Sequence, residues 1–249
     1  MIFNPARHRL CFELAAFAMT FGLAVSAAAP FNVQAQTATP DAAIHALSFA
    51  PGENGERTPA LSPVQAASCT PAAAGCWIVV GLDGSDADDD SLGKVWVARL
   101  KADDRSHFTL VARTHSAAPA PSVPPSQAYV TIDPLPFPIS STETAFGIHV
   151  GDVLDTTSTS ASSDTLILYR FANGRLYEVF RTVVDLSVAD KTANGDGEQD
   201  RHWIIRFDTH TTNGMSDLIR HRVRPPSSNK GDQRYRWNGE RYVAATAGR

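Results

Sequence analysis

Three side chains able to move protons, His202, Asp208 and His210, occupy even positions along a segment of alternating polarity, with Asp217 and His221 on the next such segment. Residues two apart on a strand share a face. Imidazoles and carboxylates gathered on one face could form a hydrolytic acid-base site, or a zinc site with a third ligand. The sequence has no HExxH, no GxSxG and no cysteine-histidine pairing to specify either chemistry. A strand face carrying His, Arg and Asp is also what a half-buried sheet turns to solvent. The second reading is the commoner one.

Two acidic loops carry the next chemistry. LDGSDADDDSLG puts Asp86, Asp88 and Asp90 at alternate positions, as at the start of a calcium-binding EF-hand loop, and DKTANGDGEQD carries Asn194 and Asp196. Hard oxygen ligands suit calcium. Counted from Asp86, however, the sixth position is Ser91 instead of glycine and the twelfth is Val97 instead of glutamate. Calcium is therefore suggested by ligand type alone, and no other cofactor is expected.

Arg234, Arg236 and Arg241 interleave with Tyr235, Trp237 and Tyr242 near the C-terminal end. These residue types are enriched at protein-protein hot spots and also close β cores at their edges. Core is expected for Trp237 and Tyr242, which leaves the three arginines as candidate partner-binding groups. A formal net charge of −4 argues against nucleic acid as the partner. Aspartates cluster early and arginines late, which internal complementarity would also produce.

The chain opens with Arg7 and Arg9, then an apolar Ala-rich run, then small residues around Val33-Gln34-Ala35. That is the layout of a cleaved secretory signal over residues 1–35, too short in its apolar run for a membrane span. Cys11 leaves with it. Cys69 and Cys76 remain in an oxidising compartment, periplasmic or extracellular, close enough in sequence to form a disulfide around a short loop.

Positioning these groups falls to strands. Residues 165–184, TLILYRFANGRLYEVFRTVV, are two β-rich runs joined by Asn173-Gly174, a pair suited to the positive φ angles of a type I′ turn. With Ala172 opposite Arg175, Ile167, Tyr169, Phe171, Leu176 and Phe180 share one face. Leu166, Leu168, Arg170, Tyr177, Val179 and Arg181 share the other. Both faces are partly apolar, so this hairpin is expected at the centre of its sheet, covered on both sides. Asn238-Gly239 predicts a second such hairpin, with Arg236 opposite Arg241. Residues 36–75 are rich in Ala and Pro and expected to be loosely ordered, with one short strand at 44–49. The proline-rich segment 117–126 and the Ser/Thr-rich segment 156–163 read as loops. About nine short strands, and no helix after the signal, predict one all-β domain over residues 76–249, an antiparallel β-sandwich or partly closed barrel.

The strand run TAFGIHV, DTLILYRFANGRLYEVF, HWIIRF, DLIRHRV and YRWNGERYV resembles uncharacterised exported all-β proteins of Gram-negative bacteria. The resemblance implies location and architecture and carries no catalytic motif. A binding module, inhibitor-like or adaptor-like, with a protein or envelope component as partner is the expected class. A secreted hydrolase and a calcium-dependent envelope protein are the alternatives.

Overall fold

The computed structural model describes residues 39–49, 59–69, 75–84, 92–103, 107–120, 127–133, 135–190, 199–224 and 232–246. All of them belong to the unit spanning Ala35–Arg249. The signal segment 1–35 lies outside the described residues.

Two antiparallel sheets form the body. β1 (Val64–Ser68), β2 (Cys76–Asp83), β3 (Lys94–Ala102) and β4 (Phe108–Ala117) make the smaller sheet in that order. The larger contains β5 (Gln127–Ile132), β6 (Phe137–Pro138), β7 (Thr144–Asp155), β8 (Thr159–Ala172), β9 (Arg175–Asp190), β10 (Gln199–Thr212), β11 (Met215–Arg224), β12 (Gln233–Trp237) and β13 (Tyr242–Ala244). Its order is β13-β12-β11-β10-β9-β8-β7-β5, with the two-residue β6 pairing off β7. The architecture is the expected all-β sandwich, with thirteen strands described where sequence patterning suggested about nine. The patterning missed β6, too short to alternate, and β1 within an Ala/Pro-rich setting. The Ser/Thr-rich stretch is also strand from Thr159 onward, because its alternate residues Ala161 and Ser163 are buried.

The expected strand at 44–49 is instead the C-terminal half of a helix, α1 (Pro40–Phe49). Its start signals are local. The Ala42 N–H donates to Thr39 Oγ1 at 3.3 Å, proline occupies the first helical position, and Asp41 sits in the first turn. Ala43 and Leu47, one turn apart, are buried against Val79, Ala98 and Leu100 on the outer face of the smaller sheet. Burying Leu47 contributes ~2 kcal/mol. The segment expected to be loosely ordered thus supplies both a helix and a strand.

The other face of the smaller sheet packs on the larger one. Ile78, Val80, Val95 and Val97 meet Val130, Ile148, Val150, Ile167 and Tyr169 in an inter-sheet core. Arg181 cross-links the layers, its Nη1 donating to the Ala117 carbonyl at 2.7 Å and its Nη2 to Ser116 Oγ at 2.9 Å, while Glu178 accepts from Nε and from the same Nη2. The larger sheet then curls so that its C-terminal strands cover its own second face. Leu166, Leu168, Val179 and Phe180 pack with Leu218, Trp237 and Tyr242 there. Phe180 meets Tyr235 edge-on, ring centroids 4.9 Å apart.

The β8-β9 hairpin is therefore central and covered on both faces, as its two apolar sides require. Asn173 and Gly174 have φ of 51° and 76°, and Ala172 pairs with Arg175 as expected. Farther from the turn the faces differ from strict alternation. The register shifts between Leu168 and Tyr169, so that Leu168 pairs with Phe180 and Tyr169 with Glu178. The extra residue Val179 forms a bulge, and both Val179 and Phe180 face the second core. Phe180 thus leaves the Ile167 face, and Arg181 joins it.

The same device acts in β4, where a shift at Arg99/Leu100 moves Ala112 from the Leu110 side to the inter-sheet core. The C-terminal hairpin is also corrected. Trp237 pairs with Tyr242 and Arg236 with Val243, leaving a four-residue loop whose Asn238 side chain accepts from the Glu240 and Arg241 N–H groups. Asn238 can satisfy this loop without the two-residue turn. The second two-residue Asn-Gly turn is Asn213-Gly214, between Thr212 and Met215.

Candidate functional site

The histidine and aspartate candidates separate into two places. His202 pairs across strands with Asp185, Nδ1 to Oδ1 at 3.3 Å. His210 lies eight residues farther along β10, ~25 Å at strand rise. His202 therefore does not join Asp208 and His210. The neighbour His210 does find is Asp217, whose side chain is fully buried. Nδ1 of His210 donates to Asp217 Oδ2 at 2.9 Å, and Thr212 Oγ1 donates to Oδ1 at 2.7 Å. Arg234 and Arg236 each approach Asp217 at 3.6 Å, and Arg234 also meets Asp208 at 2.5 Å. The His210 backbone N–H, with the Arg234 charge, holds the Asp208 carboxyl below the usual carboxylate range despite some desolvation.

This is a closed charge network at the β10-β11 turn, with β12 supplying the arginines. Two of the three candidate partner-binding arginines are engaged in it, and Arg241 is exposed on the loop. The arginines find their carboxylates on neighbouring C-terminal strands. Asp217 holds one imidazole nitrogen, an arrangement that orients a catalytic histidine elsewhere in chemistry. Among the described residues, however, no hydroxyl or thiol of a nucleophile is bonded to the other nitrogen of His210.

The calcium candidates Asp86, Asp88, Asp90, Asn194 and Asp196 lie outside the described residues. Among the described residues no group of three or more His, Cys, Asp or Glu side chains is gathered to hold a metal ion, and no helix is long and apolar enough to cross a membrane. Cys69 and Cys76 form the expected disulfide, their Cα atoms 5.3 Å apart.

The feature with room for a ligand was not among the sequence candidates. A cleft of about 780 Å³ opens between the sheets at the Asn173-Gly174 end of the central hairpin. The smaller sheet contributes Ile78, Arg99 and the Cys69 end of β1, and the larger contributes Ile132, Phe146 and Phe171. Clefts of this size and mixed lining are typical of small-molecule sites.

Its charged groups are unequal. Arg170 is held by Glu143 through two contacts, Nε to Oε2 at 2.7 Å and the terminal nitrogen to Oε1 at 2.8 Å. Asp133 accepts from the Leu135 N–H at 3.1 Å and faces His149 Nε2 at 3.6 Å. Arg99 has no carboxylate within ion-pair distance among the described residues. Its guanidinium lies 3.9 Å over the centre of the Phe171 ring, and burial pushes its pKa down from the ordinary arginine value.

The backbone explains why Arg99 is there. Alternation along β3 puts Val95, Val97 and Arg99 on the side facing the larger sheet, and both valines are in the inter-sheet core. An arginine continuing an inward row of valines was the available signal. It is obscured because the opposite row, Trp96, Ala98 and Leu100, is equally apolar: α1 covers Ala98 and Leu100, while His115 and Arg113 lie against Trp96. No protein-family model matches this chain, and neither a curated protein nor a solved structure is found to be similar to it.

Proposed function

We propose that this protein is a binding module of the periplasm or the medium, inhibitor-like or adaptor-like in acting without catalysis, whose site is the cleft between the sheets. The observation that carries the reading is Arg99. A guanidinium stacked on an aromatic ring in a concave site of mixed lining, with no carboxylate of its own among the described residues, is a recognition group awaiting an anion. The disulfide and the secretory layout of the first 35 residues support the location.

The test is ligand retention. Protein recovered from the host's own periplasmic and culture fractions should carry a small molecule into native mass spectrometry and lose it on denaturation. The same extract added to ligand-free protein should shift the methyl NMR signals of Ile78 and Ile132. Extracts that leave both methyls unmoved, with no retained molecule, would remove the reading. The second reading, a hydrolase on His210, is favoured only by the buried Asp217 behind that histidine. It requires an activity that His210→Ala abolishes and cleft variants do not.

A further inference from the structure

Resting on the cleft as the binding site, the geometry points to its ligand class: we infer that it takes a small amphipathic monocarboxylate, with the carboxylate on Arg99 and the apolar body along Ile132, Phe146 and Ile78.

Charge arithmetic within the cleft sets the number of anionic groups. Arg170 is neutralised by a two-point contact with Glu143, and Asp133 already faces His149. Arg99 is the one cation of the lining without a carboxylate among the described residues. A monoanion balances it. A second negative charge would enter a site flanked by Glu143 and Asp133 with no cation to receive it, and partly desolvated charges are costly to leave unpaired.

Geometry selects the carboxylate. Phe171 covers one face of the guanidinium, and stacking on a ring leaves the planar edge as the donor fork. That edge matches the two oxygens of a carboxylate in parallel hydrogen bonds. Among the otherwise mixed walls, Ile132, Phe146 and Ile78 provide aliphatic and aromatic surface, and Ile78 comes from the inter-sheet core itself. An apolar body therefore gains by leaving water there. A free inorganic anion would use Arg99 and leave that surface wet.

The test uses ligand-free full mature protein and a probe set of one chain length, each below its micelle concentration: decanoate, decanol, decyl phosphate and sebacate. Binding is read by titration calorimetry, and place by the Ile78 and Ile132 methyl shifts. Decanoate should bind and shift both methyls, decanol and sebacate should bind roughly tenfold or more weakly, and Arg99→Gln should cost decanoate a similar factor. Thermal unfolding of Arg99→Gln, and of Arg99→Lys as a second variant, should stay close to the parent, lowered only by the lost stacking on Phe171, since Arg99 has no ion pair among the described residues. Equal binding of decanol, or tighter binding of decyl phosphate or sebacate, at shifted methyls overturns the monocarboxylate assignment and leaves the cleft as a site. If decanoate binding survives Arg99→Gln, the role of Arg99 is overturned. If no probe moves either methyl, the inference falls, and the extract experiment above then decides separately whether the cleft binds anything.

Discussion

The imidazole of His149 lies between two carboxylates, donating through Nδ1 to Asp164 Oδ2 at 2.8 Å and facing Asp133 Oδ2 with Nε2 at 3.6 Å. Burial alone would push its pKa down. The Asp164 hydrogen bond and charge, with Asp133 behind them, outweigh that cost and leave the net shift upward. A raised folded value means that the protonated form binds its proton more tightly folded than unfolded. The stabilisation is therefore complete below the unfolded value, about 6.5, and is lost as pH rises through the higher folded value. Urea unfolding of the parent and of His149→Gln from pH 5.5 to 8.5 should show a stability difference that is largest at the acid end and shrinks above about pH 6.5. A difference that grows with pH would contradict the assignment.

Asp217 is fully buried and receives His210, Thr212, Arg234 and Arg236. Removing the carboxylate leaves Thr212 Oγ1 and His210 Nδ1 without their acceptor, while Arg234 keeps Asp208 and Arg236 remains half exposed to water. Asp217→Ala should lower unfolding stability by about 1 to 3 kcal/mol, the range for removing the buried acceptor of hydrogen-bond donors, since the cationic partners stay partly exposed. His210 is 57% exposed, and His210→Ala should cost less than about 1 kcal/mol. Denaturant titration of the two variants separates a structural hub from a site whose members matter equally. Comparable losses at both positions would show that His210 is integral to the network.

Much of this arrangement is legible in the sequence because it follows from period-two alternation and turn chemistry. Asn173-Gly174 fixes its hairpin without tertiary help, and Trp237 and Tyr242 are identifiable as core by residue type. What escapes has one physical cause: single-residue events with non-local consequences. The bulge at Val179 transfers Phe180 and Arg181 between faces, and the bulge in β4 transfers Ala112, with little local mark in the residues themselves. The cleft escapes for a related reason. Arg99 is unusual only once β3 is known to bury both faces, and that depends on a helix whose residues are mostly small. The Thr39-Pro40-Asp41 start of that helix was readable, but the Ala/Pro composition around it suggested loose order.

Gly151 shows a different constraint. A methyl group there would run into the Ser163 carbonyl and the phenol of Tyr129, which crosses over the glycine to donate to that same carbonyl at 3.2 Å. The carbonyl belongs to the paired strand β8 and cannot swing away without opening the β7-β8 ladder. Gly151→Ala should therefore cost ~2 to 3 kcal/mol, in the range of overpacking a filled interior. The double variant Gly151→Ala, Tyr129→Ala should recover only part of that loss, because the backbone contact persists. Full recovery in thermal unfolding would place the whole clash on Tyr129.

Tyr242 carries the opposite expectation. Its ring is buried in the second core between Trp237 and Phe180, while its hydroxyl has no hydrogen-bond partner among the described residues. Burial, with the nearby Asp217 charge, pushes the phenol pKa up to about 12, so the group stays neutral. A buried hydroxyl without a partner costs about 1 to 3 kcal/mol relative to water, whereas the ring contributes packing that phenylalanine retains. Tyr242→Phe should leave the unfolding midpoint unchanged or raise it, and Tyr242→Ala should lower stability by about 3 to 5 kcal/mol through the cavity it opens. A marked loss in the phenylalanine variant would mean that the hydroxyl is satisfied in solution, and a bound water joining it to the Asp217 network would then be the group to look for.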